Sequence, residues 1–217
     1  MSEHPVHIKF CGITRPQDAE LAVSLEAWAI GMIFWARSPR AVTPEAAADI
    51  AATARRRVEL VGVFVNPALD EVARIADAVG LTLVQLHGQE GPAFCAEVAR
   101  RTGCKVIKAA RVYSGAEIQA LGSFHTDFHL LDSYRDGVPG GTGETFAWEL
   151  ARRRPSSVPL ILSGGLTANN VAAAIAVVAP FAVDVASGVE AAPGIKDAEQ
   201  LRRFAQAVAG QSALTVG

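Results

Sequence analysis

Residues 59–86 read ELVGVFVNPALDEVARIADAVGLTLVQL and contain the repeating unit of the chain. A β-branched run at 59–65 precedes an amphipathic segment at 68–79, and a second apolar run follows at 82–86. Two short apolar runs separated by a helical period are typical of a strand–helix–strand unit with parallel strands. These residues therefore predict an α/β fold.

The same unit recurs in both directions along the chain. Eight candidate strands lie at 6–10, 29–34, 59–65, 82–86, 104–109, 127–131, 158–162 and 182–186. Eight candidate helices lie at 16–26, 44–56, 68–79, 91–102, 114–121, 145–153, 168–178 and 197–209. An open doubly wound sheet usually has about five or six strands and a glycine-rich first turn, but the first turn here, CGITRP at 11–16, has one glycine. The pattern favours a closed, parallel, eight-stranded (β/α)8 TIM barrel.

The length bounds this architecture. A barrel of this kind needs at least about 200 residues, so a chain of 217 leaves no room for a second domain or a long lid. We expect one domain over residues 1–217, with an ordered core at about 6–209 and a frayed tail, GQSALTVG, at 210–217.

Helix boundaries are marked by two kinds of residue. Thr43 stands directly before a proline and Thr14 stands two residues before one, which predicts that each caps a helix with proline in its first turn. Gly80 and Gly103 are expected to end helices, because glycine adopts the left-handed conformation found at helix ends.

The composition excludes several classes of protein. Half of the residues are apolar and 19% are charged, so the chain has the material for a large core and is not a disordered segment. Twenty Lys and Arg against 22 Asp and Glu give a net charge of −2. This balance predicts neither a nucleic-acid partner nor a membrane-surface partner.

The three cysteines favour a reducing compartment. Cys11, Cys95 and Cys104 are odd in number and lack the spacing of zinc or redox pairs. We expect Cys95 and Cys104 to be packing residues. The first ten residues contain no apolar leader, and no apolar run reaches the roughly 18 residues of a membrane span. We therefore expect a cytoplasmic protein.

Polar residues follow the predicted strands. In a (β/α)8 barrel the carboxyl ends of the strands carry the active site. These residues are therefore expected to converge at the barrel mouth, the opening at the carboxyl ends of the strands. They are Cys11, the loop Arg37–Arg40, Asn66, His87, Lys108, Arg111, Asp132, Ser163–Gly165 and Ser187–Gly188.

Glycine-rich loops follow the last three strands, at 140–143, 163–165 and 187–188. Such loops let backbone N–H groups approach an anion, and phosphate sites after strands seven and eight recur in this fold. One glycine pair alone is typical of a tight turn, but three in succession predict a phosphate site.

Cys11 and Asp132 are the candidate base and acid. A thiol and a carboxylate across a barrel mouth can act on two sides of a bound substrate, whereas the alternatives are a buried packing thiol and a turn aspartate. Lys9 shares a strand face with Cys11, and barrel closure brings Asp184 beside it. We expect Lys9 and Asp184 to form an interior polar pair, which either supports the structure or tunes the thiol.

Two further side chains have open alternatives. The fork of Arg40 suits a carboxylate or a phosphate at the mouth, and the alternative is a solvated loop residue. His87 could contact the substrate, carry a proton or hydrogen-bond within its loop. The arginine runs at 55–57 and 152–154 lie near predicted helix ends, where we expect solvated faces.

A set of motifs along nearly the whole chain resembles the phosphoribosylanthranilate isomerase family. The motifs are IKFCGIT at 8–14, SPR at 38–40, VGVFVN at 61–66, VQLHG at 84–88, LLDS at 130–133, GGTGETFAW at 140–148, LSGGL at 162–166 and PFAVDVASGVEAAPGIKD at 180–197. The resemblance implies a (β/α)8 barrel that catalyses the Amadori rearrangement of tryptophan biosynthesis, with no cofactor and no metal.

The resemblance also implies roles for residues. It implies that Asp132 is the general acid, Cys11 the general base and Arg40 the group that holds the anthranilate carboxylate. The candidate substrate-binding residues are His87, Gly143, Gly164, Gly165, Asp184, Ser187 and Gly188, and the resemblance implies that the glycine loops among them hold the phosphate. One departure is Ala147, where many relatives have an aspartate at the start of a helix, and this departure puts the helix cap in doubt.

Three alternatives remain open. A ribulose-phosphate epimerase would need His and Asp metal ligands at the strand ends, and the strand ends here contain too few of both. A dual-substrate isomerase, also acting in histidine biosynthesis, would have an aspartate where this chain has Cys11. An inactive barrel that binds a phosphometabolite is opposed by the presence of Cys11 and Asp132. We expect a monomer or a homodimer.

Overall fold

A computed structural model describes residues 5–132, 148–152, 154 and 156–214. Its eight parallel strands close a barrel in chain order, and β1 pairs with both β2 and β8. The strands are β1 His7–Cys11, β2 Ala29–Ile33, β3 Glu59–Phe64, β4 Leu83–Leu86, β5 Lys105–Arg111, β6 Phe128–Asp132, β7 Leu160–Ser163 and β8 Ala182–Val185. The predicted (β/α)8 barrel is confirmed.

Helices alternate with the strands around the outside of the barrel. They are α1 Pro16–Ser24, α2 Pro44–Ala54, α3 Leu69–Val79, α4 Pro92–Thr102, α5 Gly115–Ala120, α6 at 148–152, α7 Val171–Val178 and α8 Ala198–Leu214. Short 3-10 turns lie at Leu121–Ser123 and Ser187–Val189, and a two-stranded hairpin of β9 Glu190–Ala192 and β10 Ile195–Lys196 follows β8.

The last helix differs from the expected tail. Helix α8 continues through Leu214, so residues 210–214 of the expected frayed tail at 210–217 are helical, and residues 215–217 lie outside the described part of the chain. Glycine in a helix costs about 1 kcal/mol relative to alanine, so Gly210 weakens the helix without ending it when no proline follows. Among the described residues, no helix is both long enough and apolar enough to cross a membrane.

The helix boundaries confirm three of the four predicted signals. The hydroxyl of Thr43 accepts a hydrogen bond from the Ala46 amide at 3.2 Å. Gly80 and Gly103 end their helices with φ values of 72° and 70°. The prediction for Thr14 is wrong, because α1 begins after Arg15 and the Thr14 hydroxyl donates instead to the carbonyl of Gly194.

Two hydrophobic layers position the mouth. The outer layer lies between strands and helices, and it includes Cys95 and Cys104, which confirms them as packing residues. Aliphatic side chains fill the inner layer. An aromatic cluster near the amino ends of the strands has ring centroids 4.6 to 6.2 Å apart, and it consists of His7, Trp28, Phe128 and Phe181. The polar residues of the barrel interior are thereby left toward the carboxyl ends.

Arg154 corrects the expectation that both arginine runs form solvated faces. Residues 55–57 are exposed as predicted, but the Arg154 Nη2 donates to the Val158 carbonyl at 2.6 Å and its Nη1 lies 3.3 Å from Nδ1 of His129. Arg154 is half-buried because it satisfies polar groups at the approach to β7.

Candidate active site at the barrel mouth

Cys11 ends β1 with its side chain in the barrel interior, where it is buried. Gly31 is its partner on β2. A Cβ at Gly31 would lie 2.9 Å from the Cys11 Sγ and 3.1 Å from the Lys9 Nζ. The missing side chain at residue 31 thus leaves the space in which the thiol and the ammonium group come together.

Lys9 and Asp184 form the predicted interior pair. The Lys9 Nζ donates to Oδ1 of Asp184 at 2.8 Å, and the Ser163 hydroxyl donates to Oδ2 at 2.9 Å. Strand β8 lies beside β1, with Asp184 in register with Lys9. The prediction is therefore confirmed, and both oxygens of this buried carboxylate have a partner.

Burial and charge compete at Cys11. Burial raises the pKa of the Cys11 thiol, and the carboxylate of Asp184 adds to that effect, while Lys9 and Lys196 oppose it. The net pKa lies above the usual value. Burial alone would lower the pKa of Lys9, but Asp184 and Cys11 outweigh burial and raise it. Lys9 therefore stays protonated beside the thiol.

Asp132 and His87 meet on the far side of the mouth. Asp132 ends β6 two residues after Leu130, which points into the barrel, so strand alternation turns Asp132 inward. Its Oδ2 lies 3.5 Å from the His87 Nε2, and the His87 Nδ1 lies 3.3 Å from the Gln85 Nε2. If the Gln85 amide donates to Nδ1, the other ring nitrogen carries the proton and faces the carboxylate.

Arg40 reaches the mouth but is not the solvated loop residue of the alternative interpretation. Its Nε donates to Oε1 of Glu190 at 2.8 Å and its Nη2 donates to Oε2 at 2.7 Å. The Lys196 Nζ donates to the same carboxylate at 3.0 Å. Burial would raise the pKa of Glu190, but the hydrogen bonds from Arg40 and Lys196 lower it overall. Glu190 is therefore an anion shared by two cations.

Glu190 and Lys196 were missed by the sequence reasoning. Both lie in the motif at 180–197, but they follow β8 on a hairpin that no periodic pattern predicts. Burial lowers the pKa of Lys196 in spite of Glu190. The sequence signal that could have identified them is a pair of oppositely charged residues shortly after the last strand.

The loops after β7 and β8 are in contact. Gly164 and Gly165 have φ values of 96° and 65°, which favour glycine. A Cβ at Gly188 would lie 2.0 Å from the Leu166 carbonyl oxygen, so the loop that carries Ser187 packs closely on its neighbour. The candidate residue Gly143, the loop at 140–143 and Ala147 lie outside the described residues.

Asn66 and Lys108 do not join the mouth, which corrects the expectation that all strand-end polar residues converge. Strand β5 turns Ile107 and Ala109 inward, so Lys108 points outward. Its Nζ donates to Glu90 at 2.7 Å, and Glu90 also accepts a hydrogen bond from the backbone N–H of Asn66 at 2.7 Å. This cluster braces the loops after β3 and β4 instead.

Comparisons with known proteins agree with the geometry. Residues 8–207 match the family model described as N-(5'phosphoribosyl)anthranilate (PRA) isomerase. An N-(5'-phosphoribosyl)anthranilate isomerase of Pelobacter propionicus is 47% identical over 199 residues, covering 92% of this chain and 93% of the relative. One of Pseudomonas fluorescens Pf-5 is 49% identical over 205 residues, covering 94% and 95%.

Solved structures show the same relationship. The chain superposes on phosphoribosyl anthranilate isomerase from Thermotoga maritima with a TM-score of 0.84 and 41% identity, covering 94% of this chain and 99% of that one. A second such isomerase, in complex with reduced 1-(o-carboxyphenylamino)-1-deoxyribulose 5-phosphate, gives 0.81 and 39% with the same coverage. The chain therefore belongs to the N-(5'-phosphoribosyl)anthranilate isomerase family.

Proposed function

We propose that Cys11 is the general base and Asp132 the general acid of an N-(5'-phosphoribosyl)anthranilate isomerase. The enzyme converts its substrate to 1-(2-carboxyphenylamino)-1-deoxyribulose 5-phosphate in tryptophan biosynthesis, by an Amadori rearrangement. The observation that carries the two roles is that both side chains stand at inward positions at the carboxyl ends of their strands. In the closed barrel β7 and β8 separate these strands, so the groups can act on two sides of one substrate.

The rearrangement needs one proton donor and one proton acceptor. The carboxyl group of Asp132 gives a proton to the ribose ring oxygen, the bond from C1 to that oxygen breaks, and an open-chain Schiff base results. The Cys11 thiolate then takes the proton from ribose C2, and the electron pair of that bond forms the enol. Tautomerisation of the enol gives the ketose.

The thiolate is the form of Cys11 that can accept this proton. The ammonium groups of Lys9 and Lys196 favour the thiolate against burial. We infer that this is why buried cations lie near a thiol at the end of β1.

The ends of the substrate have separate candidate partners. Arg40 holds the anthranilate carboxylate, because a guanidinium fork binds a carboxylate through two parallel hydrogen bonds. The glycine loops after β7 and β8 hold the phosphate through their backbone N–H groups. The loop containing Gly143 completes the phosphate site. Asp184, whose Oδ2 accepts a hydrogen bond from Ser163 at the end of β7, contributes to substrate binding beside that site. His87, beside Asp132, contacts the substrate near the ring oxygen.

The chain as a whole is proposed to work as one domain in the cytoplasm. Its three cysteines are free and buried, as in proteins of reducing compartments. We propose a monomer or a homodimer, and the isomerase of Thermotoga maritima is described as dimeric. Light scattering of the purified enzyme distinguishes these two states.

The test follows the fluorescence of freshly made phosphoribosylanthranilate as enzyme is added. Wild type should abolish the fluorescence rapidly, while Cys11→Ala and Asp132→Asn each lower kcat by about a hundredfold or more. Cys95→Ala, a buried cysteine on α4, is the matched control and should keep its kcat. A variant that retains full rate removes its residue from the mechanism. No decay with folded wild type would favour a barrel that only binds a phosphorylated metabolite.

A further inference from the structure

The hairpin of β9 and β10 is fixed to the barrel on several sides. The Thr14 hydroxyl donates to the Gly194 carbonyl, and the Arg15 Nη2 donates to the Lys196 carbonyl at 3.2 Å. The Lys196 amide in turn donates to Oδ2 of Asp18 at 3.4 Å. These contacts tie the hairpin to the start of α1, so the carboxylate on its first residue is held in place.

Glu190 is that carboxylate, and four donors converge on it. Besides the two nitrogens of Arg40 and the Lys196 ammonium, the Gly194 amide donates to Oε1 at 3.2 Å. The Glu190 side chain is 5% exposed, whereas the Arg40 side chain is 21% exposed. The buried member of this ion pair is therefore the anion, and the arginine faces the open mouth.

Glu190 occupies only one edge of the Arg40 guanidinium. The edge formed by Nε and Nη2 is taken by the two oxygens of Glu190. The second edge, formed by Nη1 and Nη2, makes no hydrogen bond within the described part of the chain. A guanidinium can bind one carboxylate on each edge, since it has five N–H donors in a fixed plane.

The stem of Arg40 is also placed beside the base. A Cβ at Gly12 would lie 2.7 Å from the Arg40 Cδ, so the arginine crosses the backbone directly after Cys11. Gly12 has a φ of 72°, a conformation that suits glycine. With its stem over Gly12 and one edge on Glu190, Arg40 has one orientation in which its second edge meets a ligand.

We propose that Glu190 is a positioning residue, which holds Arg40 so that the Nη1–Nη2 edge binds the aromatic carboxylate of the substrate. This inference rests on the proposed role of Arg40 as the carboxylate-binding residue. Glu190 touches neither the reacting carbon nor its protons, and it acts through Arg40. It lowers the entropy that a free arginine would lose on binding a substrate.

A double-mutant cycle tests the proposal. The variants are Glu190→Gln, Arg40→Ala and the two together, and the probe is reduced 1-(o-carboxyphenylamino)-1-deoxyribulose 5-phosphate, which binds without turnover. Glu190→Gln keeps the shape of the side chain but replaces one of the two oxygens that accept from Arg40 by an amide NH2 group. The Kd of the probe and the KM should therefore rise about tenfold. The kcat at saturating substrate should stay within about threefold, as expected when binding is lost equally in ground and transition states.

The cycle separates action through Arg40 from a general effect. In the Arg40→Ala background, Glu190→Gln should change Kd less than about twofold, because non-additivity marks residues that act together. Glu97→Gln is the matched control. Glu97 accepts hydrogen bonds from the Nε and Nη2 of Arg100 at 2.9 and 2.5 Å, in the same arrangement as Glu190 and Arg40, but on the exposed surface of α4. This control should leave Kd unchanged. Inhibition by inorganic phosphate should be equal in wild type and Glu190→Gln.

Several results would overturn the proposal. If Glu190→Gln raises Kd by the same factor in the wild-type and Arg40→Ala backgrounds, Glu190 does not act through Arg40. If Glu190→Gln weakens inhibition by phosphate as much as it weakens binding of the probe, Glu190 supports the whole mouth. Should Glu190→Gln fold poorly, Glu190→Asp keeps the charge on a shorter stem and should raise Kd in the same direction. An unchanged Kd in Glu190→Gln alone refutes the positioning role, whereas an unchanged Kd in Arg40→Ala refutes the proposed role of Arg40 itself.

Discussion

The ammonium of Lys9 lies 2.8 Å from Oδ1 of Asp184 inside the barrel, and the two side chains are 0% and 6% exposed. Each charge is removed from water, so each depends on the other for compensation. Removing one partner of a buried pair is far more costly than replacing both by apolar residues, because the remaining charge is left without a counter-ion.

The first prediction is that Lys9→Met destabilises the fold. We expect a loss of about 3–5 kcal/mol in the free energy of unfolding, measured by urea denaturation at neutral pH. Lys9→Met combined with Asp184→Leu should recover much of that loss but not the activity. Lys105→Met removes an exposed lysine at the start of β5 and is the control. A Lys9→Met protein as stable as the control would mean that the pair is not energetically coupled.

The second prediction concerns the pH dependence of the thiol. Burial raises the pKa of Cys11, so the fraction of Cys11 present as thiolate should keep increasing with pH beyond neutrality. The charged groups that act on it are Lys9, Asp184, Lys196 and Arg40. Removing a cation raises the pKa of a thiol, so Lys196→Met should shift formation of the Cys11 thiolate to higher pH.

Alkylation by iodoacetamide reports this thiolate without the catalytic cycle. Its rate at Cys11 should rise with pH in wild type and rise only at higher pH in Lys196→Met, with Cys11→Ala as the blank. An alkylation rate that is flat from weakly acidic to weakly alkaline pH would contradict the raised pKa.

These residues also mark the limit of what the sequence predicts. The Lys9–Asp184 pair followed from two general facts, namely that strands alternate their side chains and that a closed barrel puts its last strand beside its first. Lys108 could not be placed in that way, because a shift of one residue at the end of β5 exchanges the two faces of the strand. Glu190 was missed because its partner, Arg40, lies 150 residues earlier in the chain.

The third prediction separates the Glu90 cluster from catalysis. The Lys108 Nζ lies 2.7 Å from Glu90, and both side chains are buried outside the barrel. Burial would raise the pKa of Glu90, but Lys108 and the backbone N–H of Asn66 lower it overall. Glu90→Gln should therefore destabilise the fold by about 3 kcal/mol or more near neutral pH while KM stays unchanged.

The pH dependence of this stability follows from the lowered pKa. The contribution of the Glu90 carboxylate is complete above the pKa of an unfolded glutamate, about 4.3, and is lost as the pH falls through the folded pKa. The difference in stability between wild type and Glu90→Gln should thus shrink in acid. A constant difference down to strongly acidic pH, measured by urea denaturation, would show that the charge of Glu90 is not what matters.

The last prediction tests the packing of the candidate phosphate loops. A Cβ at Gly188 would lie 2.0 Å from the Leu166 carbonyl oxygen, far inside any tolerated contact, so Gly188→Ala must push the loops after β7 and β8 apart. Backbone N–H groups bind an anion only when they converge, so we expect KM to rise about tenfold or more and inhibition by inorganic phosphate to weaken in parallel.

Gly210→Ala is the matched control for that substitution. A Cβ at Gly210 would meet nothing within 4 Å, and the residue lies inside α8. This variant should leave KM unchanged and stabilise the enzyme by up to about 1 kcal/mol, because alanine is the better helix former. If Gly188→Ala kept both its KM and its phosphate inhibition, the loops after β7 and β8 would not form the phosphate site, and the loop at 140–143 would have to supply it.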